Sequence, residues 1–173
     1  MITYSAIILF SNSDEARKLA ELQKILADKY LGKSAIHLPP HITLIRWKSK
    51  EPISNRLRSE ILNKDVVYSV ILNSKVVSKD LKSIWYKVAK SKEISHLHDQ
   101  VRQILLDEGI SQRNIIPNPK FHVTLAYKDY TENEILIISK YIDGLCLKGF
   151  SVIADKIAIC LFSKDRGWLI MDL

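Results

Sequence analysis

Cysteine is nearly missing from this chain. Two occur in 173 residues, Cys146 and Cys160, with neither C-x-x-C nor zinc-finger spacing. A disulfide scaffold is thereby excluded, and both cysteines, set in apolar runs, read as buried small hydrophobes. Five glycines and five prolines leave no collagenous or low-complexity body. The two common glycine-rich phosphate cradles, G-x-x-x-x-G-K-[ST] and G-x-G-x-x-G, are absent. No run approaches the ~18 apolar residues of a membrane span. Met1–Phe10 lacks a basic start and soon meets Asp14, Glu15 and Arg17, a poor signal peptide. Acidic residues are also in deficit, 19 against 26 basic, for a net charge of +7. That excess favours polyanionic partners. With 47% hydrophobic and 26% charged residues, the expectation is one basic, globular, cytoplasmic domain.

The positive charge is concentrated. From Arg46 to Lys92 there are twelve basic and four acidic residues, a net +8, and the remainder of the chain carries −1. Such a stretch reads either as a solvated surface or as an electrostatic funnel beside a phosphate site.

The chain runs the same course twice. Strand Tyr4–Phe10, a helix from Asp14 towards Gly32 and strand His41–Trp47 lead to a helix over 54–63 and strands Val66–Asn73 and Val76–Ser78. Strand Ile84–Ala89, helix Ile94–Glu108 and a polar loop through Pro117 and Pro119 then lead to strand Phe121–Tyr127. Helix Glu132–Tyr141 and strands Leu145–Ala154, Ile157–Phe162 and Trp168–Leu173 complete the chain. His41-Ile-Thr-Leu44 matches His122-Val-Thr-Leu125 at a separation of 81, and Tyr68-Ser-Val-Ile71 matches Phe150-Ser-Val-Ile153 at 82. Gln23-Lys-Ile-Leu26 matches Arg102-Gln-Ile-Leu105 at 79. One domain of two related lobes with a groove between them follows.

The sequence holds only four threonines and five histidines, so two H-x-T-L segments in matching strands are a strong signal. In a strand, residues i and i+2 share a face, so His41 projects with Thr43 and His122 with Thr124. If the strands face each other across the groove, two imidazoles and two hydroxyls converge. One imidazole can take a proton from an attacking hydroxyl or water, and the other can protonate the leaving oxygen. Threonine hydroxyls can bind the non-bridging phosphate oxygens. The set suits displacement at phosphorus, needing no metal or other cofactor.

These twin motifs resemble the 2H phosphoesterase superfamily, especially its 2′-5′ RNA ligase and cyclic phosphodiesterase branch, over essentially the whole chain. The resemblance implies an α+β, bilobal, pseudo-twofold fold, two antiparallel sheets lining a central cleft with helices outside. It implies catalytic roles for His41 and His122 and phosphate-binding roles for Thr43 and Thr124. Members often carry Pro before the motif histidine, as Pro40 does and Phe121 does not. Many carry Arg three residues after the second threonine, where this chain has Tyr127, then Lys128; Arg46 holds that place in the first motif. Strict alternation puts Lys128, not Tyr127, on the face of His122.

Trp85 is a further candidate, on a groove wall where its ring would stack on a base, and Trp168 carries the same ambiguity between groove and core. His96 and His98 lie about 200° apart on a helix and read as its surface, and His37 reads as a loop residue. The expected activity is hydrolysis of an RNA-derived 2′,3′-cyclic phosphate to a 2′-phosphate. Rival readings are a 2′-5′ phosphodiesterase, a cyclic oligonucleotide hydrolase, a 2′-5′ RNA ligase and a non-catalytic RNA-binding module. Expected partners are RNA ends, oligonucleotides or cyclic nucleotides, with no membrane and no obligate protein partner.

Overall fold

The computed structural model describes residues 1–10, 13–30, 38–64, 67–89, 91–117, 120–127, 130–145, 147, 149–163 and 167–171. Eight strands and four helices follow in the order β1 (Ile2–Phe10), α1 (Asp14–Tyr30), β2 (His41–Ser49), α2 (Asn55–Leu62), β3 (Tyr68–Val77), β4 (Ser83–Val88). Then come α3 (Lys92–Asp107), β5 (Ile115–Pro117), β6 (His122–Tyr127), α4 (Glu132–Asp143), β7 (Ser151–Ser163) and β8 (Gly167–Ile170). Among the described residues, no helix is long and apolar enough to cross a membrane.

The helices start where side chains can serve their unpaired amides. The Ser91 hydroxyl accepts from the Ile94 amide at the start of α3, and Thr131 with Glu134 forms a capping box at α4. Helix α3 buries Ile94, Leu97, Val101 and Leu105 at helical spacing and ends at Gly109, whose φ of +81° favours glycine. It packs behind β2, and α1 packs behind β6. Trp47, fully buried, stacks on Tyr4 at 5.5 Å in the core between.

Every strand pairing is antiparallel, and the order is β1-β2-β6-β4-β3-β7-β8 with β7 also pairing β1. Two groups of strands emerge, β7-β1-β2 and β3-β4-β6. The two sheets expected from sequence are therefore hydrogen-bonded into one network, joined at two seams. At one, β2 and β6 share the single pair Ile42–Val123. At the other, Tyr68–Ile71 of β3 pairs with Ser151–Ala154 of β7. Neither group comes from one half of the chain, because β3 and β7 have exchanged places.

The registers define a local dyad. Ile42 and Val123 are the same position of the two motifs, and they pair with each other. Val70 pairs with its repeat counterpart Val152, while Ser69–Ile153 is mirrored by Ile71–Ser151. The Ser69 and Ser151 hydroxyls meet at 3.1 Å. One twofold axis thus runs through both seams.

Three segments differ from the sequence expectation. Tyr68–Val77 forms one strand, β3, where two strands joined by a turn were expected, because Asn73 is an extra residue between Leu72–Val88 and Ser74–Lys87. Ser151–Ser163 is likewise one strand, β7, and Asp155 bulges between Ala154 and Lys156 where one strand was expected to end before the next. A bulge holds polar residues at the surface without ending the strand. The polar loop before Phe121 contains the short strand β5, paired to β2 through Ile115, Ile116 and Pro117. Its Pro costs no pairing in the middle of a sheet, since β5 lies off the main strand order. Cys160 is buried as expected, and burial pushes its thiol up to about 12, so it is inert. Cys146 and His37 lie outside the described residues.

Candidate active site

Both motif strands carry the same irregularity. Ala6 pairs with Ile45 and Ile7 with Thr43, leaving Leu44 without an opposite residue. Ile84 pairs with Ala126 and Trp85 with Thr124, leaving Leu125 unopposed. The motif leucine is a β-bulge in each case, and both side chains are fully buried. A bulge reverses the facing of every residue beyond it. His41, Thr43 and Arg46 therefore share one face, as do His122, Thr124 and Tyr127. This corrects the alternation argument for Lys128: Tyr127 takes the cleft position, and Lys128 lies outside the described residues.

The faces enclose a cavity of about 630 Å³. His41, Thr43, His122 and Thr124 line it together, as do Arg46, Trp85 and Tyr127. The histidines are held identically. Nδ1 of His41 lies 2.8 Å from the Pro39 carbonyl, and Nδ1 of His122 lies 2.8 Å from the Lys120 carbonyl. A carbonyl only accepts, so Nδ1–H donates in both rings, leaving Nε2 to exchange a proton.

No family sequence model matches the chain, nor does any curated protein sequence. Solved structures do. E. coli LigT complexed with NADP+ is 13% identical, with 99% of this chain and 95% of that one covered at a TM-score of 0.61. TT0787 of Thermus thermophilus is 12% identical, covering 99% and 96% at 0.65. Kluyveromyces marxianus Usb1 is 13% identical, covering 99% and 98% at 0.50. The chain has the 2H phosphoesterase fold.

Within that 2H fold the dyad relates backbone more faithfully than side chains. Ser5 and Ser83 are equivalent, opposite Arg46 and Tyr127. Elsewhere the halves diverge: Ile7 corresponds to Trp85, Leu9 to Lys87, Arg46 to Tyr127 and Pro39 to Lys120. Trp85 lies with its ring 5.6 Å from His122. Trp168, from β8, also reaches the cavity and lies 5.4 Å beneath the Arg46 guanidinium, a cation–π contact. Strands β1 and β7 lie between theirs, so the sheet curls around the site.

Burial pushes His41 down to about 4. The Pro39 bond opposes that shift, whereas the charges of Arg46 and His122 add to it. His41 is thus neutral at pH 7, a ring able to accept a proton.

Ser5, Ser83, Gln23 and Lys120 were not singled out from sequence, yet all line the cavity. Gln23, buried on α1, donates from Nε2 to the Thr124 carbonyl at 2.8 Å and ties that helix to the second motif. Its signal was the repeat match with Arg102, which carried no chemistry. His98 is not a surface residue: it is largely buried and packs edge-on to Phe121, beside His122. His96 is exposed, as expected.

Proposed function

We propose that this protein is a 2H phosphoesterase that hydrolyses nucleotide phosphodiesters, with an RNA 2′,3′-cyclic phosphate as substrate and a 2′-phosphate as product. The observation that carries this reading is the dyad-related pair of histidines, each with Nδ1–H on a main-chain carbonyl, flanked by the two threonines. Thr43 and Thr124 donate to the non-bridging oxygens as charge develops on the phosphorane.

Arg46 breaks the tie between the histidines. It stands on the His41 strand and disfavours a second positive charge there, while Tyr127 occupies the matching place beside His122. His41 accordingly takes the proton of the attacking water, and His122 donates to the departing ribose oxygen. The P–O3′ bond breaks as the water oxygen bonds to phosphorus, so the proton count balances. No covalent intermediate is required.

LigT has been observed complexed with 3′-AMP, which supports a nucleotide ligand for this fold. The deciding experiment is turnover of mononucleoside 2′,3′-cyclic phosphates, products identified by phosphorus NMR, for wild type, His41→Ala and His122→Ala. Each substitution is expected to lower kcat by ~10²–10⁴-fold with the fold retained. Full activity in either folded variant sinks the reading.

A further inference from the structure

The cavity holds three described cations, Arg46, Lys87 and Lys120, and no described carboxylate. Of the twelve basic residues between Arg46 and Lys92, only Arg46 and Lys87 line it among the described residues. Others are spent elsewhere: Arg56 pairs with Glu60 and Glu108, and Lys75 with Asp143. The sequence stretch is therefore not itself the funnel. What matters is which side of the dyad the cavity charges occupy.

Lys87 pairs directly opposite His122, and Lys120 supplies the carbonyl that holds it. Their counterparts beside His41 are Leu9 and Pro39, which carry no charge. Trp85 lies two residues from Lys87 on the same face, ~7 Å along the strand, and faces His122, where the other half has Ile7. An aromatic platform followed at that spacing by two ammonium groups matches a base followed by the next backbone phosphate. Lys87 and Lys120 are both exposed at the cavity mouth.

We propose that the substrate is an oligonucleotide whose chain leaves the site across the His122 half, with a base on Trp85 and the next phosphate on Lys87 and Lys120. This rests on the phosphoesterase reading above and adds the substrate class and its direction. For an RNA ending in a cyclic phosphate, the chain passing His122 is the 5′ side.

The test uses two substrates, a mononucleoside 2′,3′-cyclic phosphate and a four-nucleotide RNA ending in the same group. Wild type is expected to prefer the tetranucleotide by ~10-fold or more in kcat/KM. Lys87→Ala/Lys120→Ala should erase most of that preference, while Lys48→Ala/Lys50→Ala, an equal charge loss at exposed positions that do not line the cavity, should preserve it. In parallel, a 5′-fluorescein tetranucleotide with a 3′-phosphate is titrated by anisotropy at several salt concentrations. The slope of log K against log salt should flatten by ~0.7 in the double variant, which gives up the one phosphate contact that the two lysines share. An unchanged preference and slope, or an equal loss on both substrates, overturns the proposal. Absence of turnover for both substrates overturns the phosphoesterase reading instead, and the anisotropy slopes still decide the role of the lysines.

Discussion

Around His41 the neighbouring strand contributes Ile7 and Leu9; around His122 the same two places hold Trp85 and Lys87. Three residues past the motif threonine, the first half has Arg46 and the second Tyr127. The backbone is nearly the same in both, down to the bulge and the 2.8 Å histidine bond. A duplicated scaffold therefore fixes where the reacting groups point, and the side chains added to each copy decide what each group does. In the proposed reaction, a symmetrical frame supplies the acid and the base from matching positions of its two halves. Only the broken symmetry tells them apart.

The sharpest way to break this comparison is to change the leaving group. Nitrophenolate departs without a proton, so an enzyme acting on a p-nitrophenyl phosphodiester has no need of its general acid. His122→Ala is expected to lose ~10²–10⁴-fold on a 2′,3′-cyclic phosphate but under ~10-fold on the nitrophenyl ester. His41→Ala should lose ~10²–10⁴-fold on both. Equal losses for the two variants on the nitrophenyl ester would show the halves to be interchangeable.

A smaller effect separates Arg46 from Tyr127. A guanidinium aimed at a phosphate makes charge-assisted hydrogen bonds that a phenol cannot match. Arg46→Gln is expected to lower kcat/KM by ~10²-fold, and Tyr127→Phe by less than ~10-fold. The acid side of the pH–rate profile gives a second readout. His41 loses its function as base only once protonated, so in wild type activity should persist down to about pH 4. Arg46→Gln removes one charge that holds this pKa down, so the limb should move upward. A limb that stays in place in the variant would detach Arg46 from His41.

The two motifs were legible because histidine and threonine are scarce here and because a strand puts i and i+2 on one face. The dyad was legible in outline, as the matched segments Tyr68–Ile71 and Phe150–Ile153 turned out to pair across it. What followed the motifs was not. Alternation assumes a regular strand, and nothing in Leu44 or Leu125 announces a bulge, so Tyr127 was turned away from a cleft that it lines. The same assumption ended one strand at Ala154 and began another at Ile157, since the charges of Asp155 and Lys156 suggest a break as readily as a bulge. Lys120 and Gln23 escaped notice for a different reason. Lys120 enters the site through its main-chain carbonyl under His122 and Gln23 through a tertiary contact, an amide on the Thr124 carbonyl, and no periodicity encodes either.

The smallest effect concerns stability, and its sign follows from the same asymmetry. Folding lowers His41 from an ordinary histidine value of 6.5 to about 4, so the native state prefers the neutral ring. Between those values the unfolded chain binds a proton that the native chain refuses, and stability must fall as pH falls from 6.5 towards 4. The full shift corresponds to an upper limit of ~3 kcal/mol, and water in the open cavity reduces it to roughly 1–3 kcal/mol. His41→Gln cannot take up that proton in either state. Urea titrations at pH 7 and pH 4 should therefore show wild type losing roughly 1–3 kcal/mol more than the variant over that interval. A parallel decline in both proteins would mean that the first half of the site does not store this electrostatic strain. The neutral imidazole assigned there as base would then lose its physical ground.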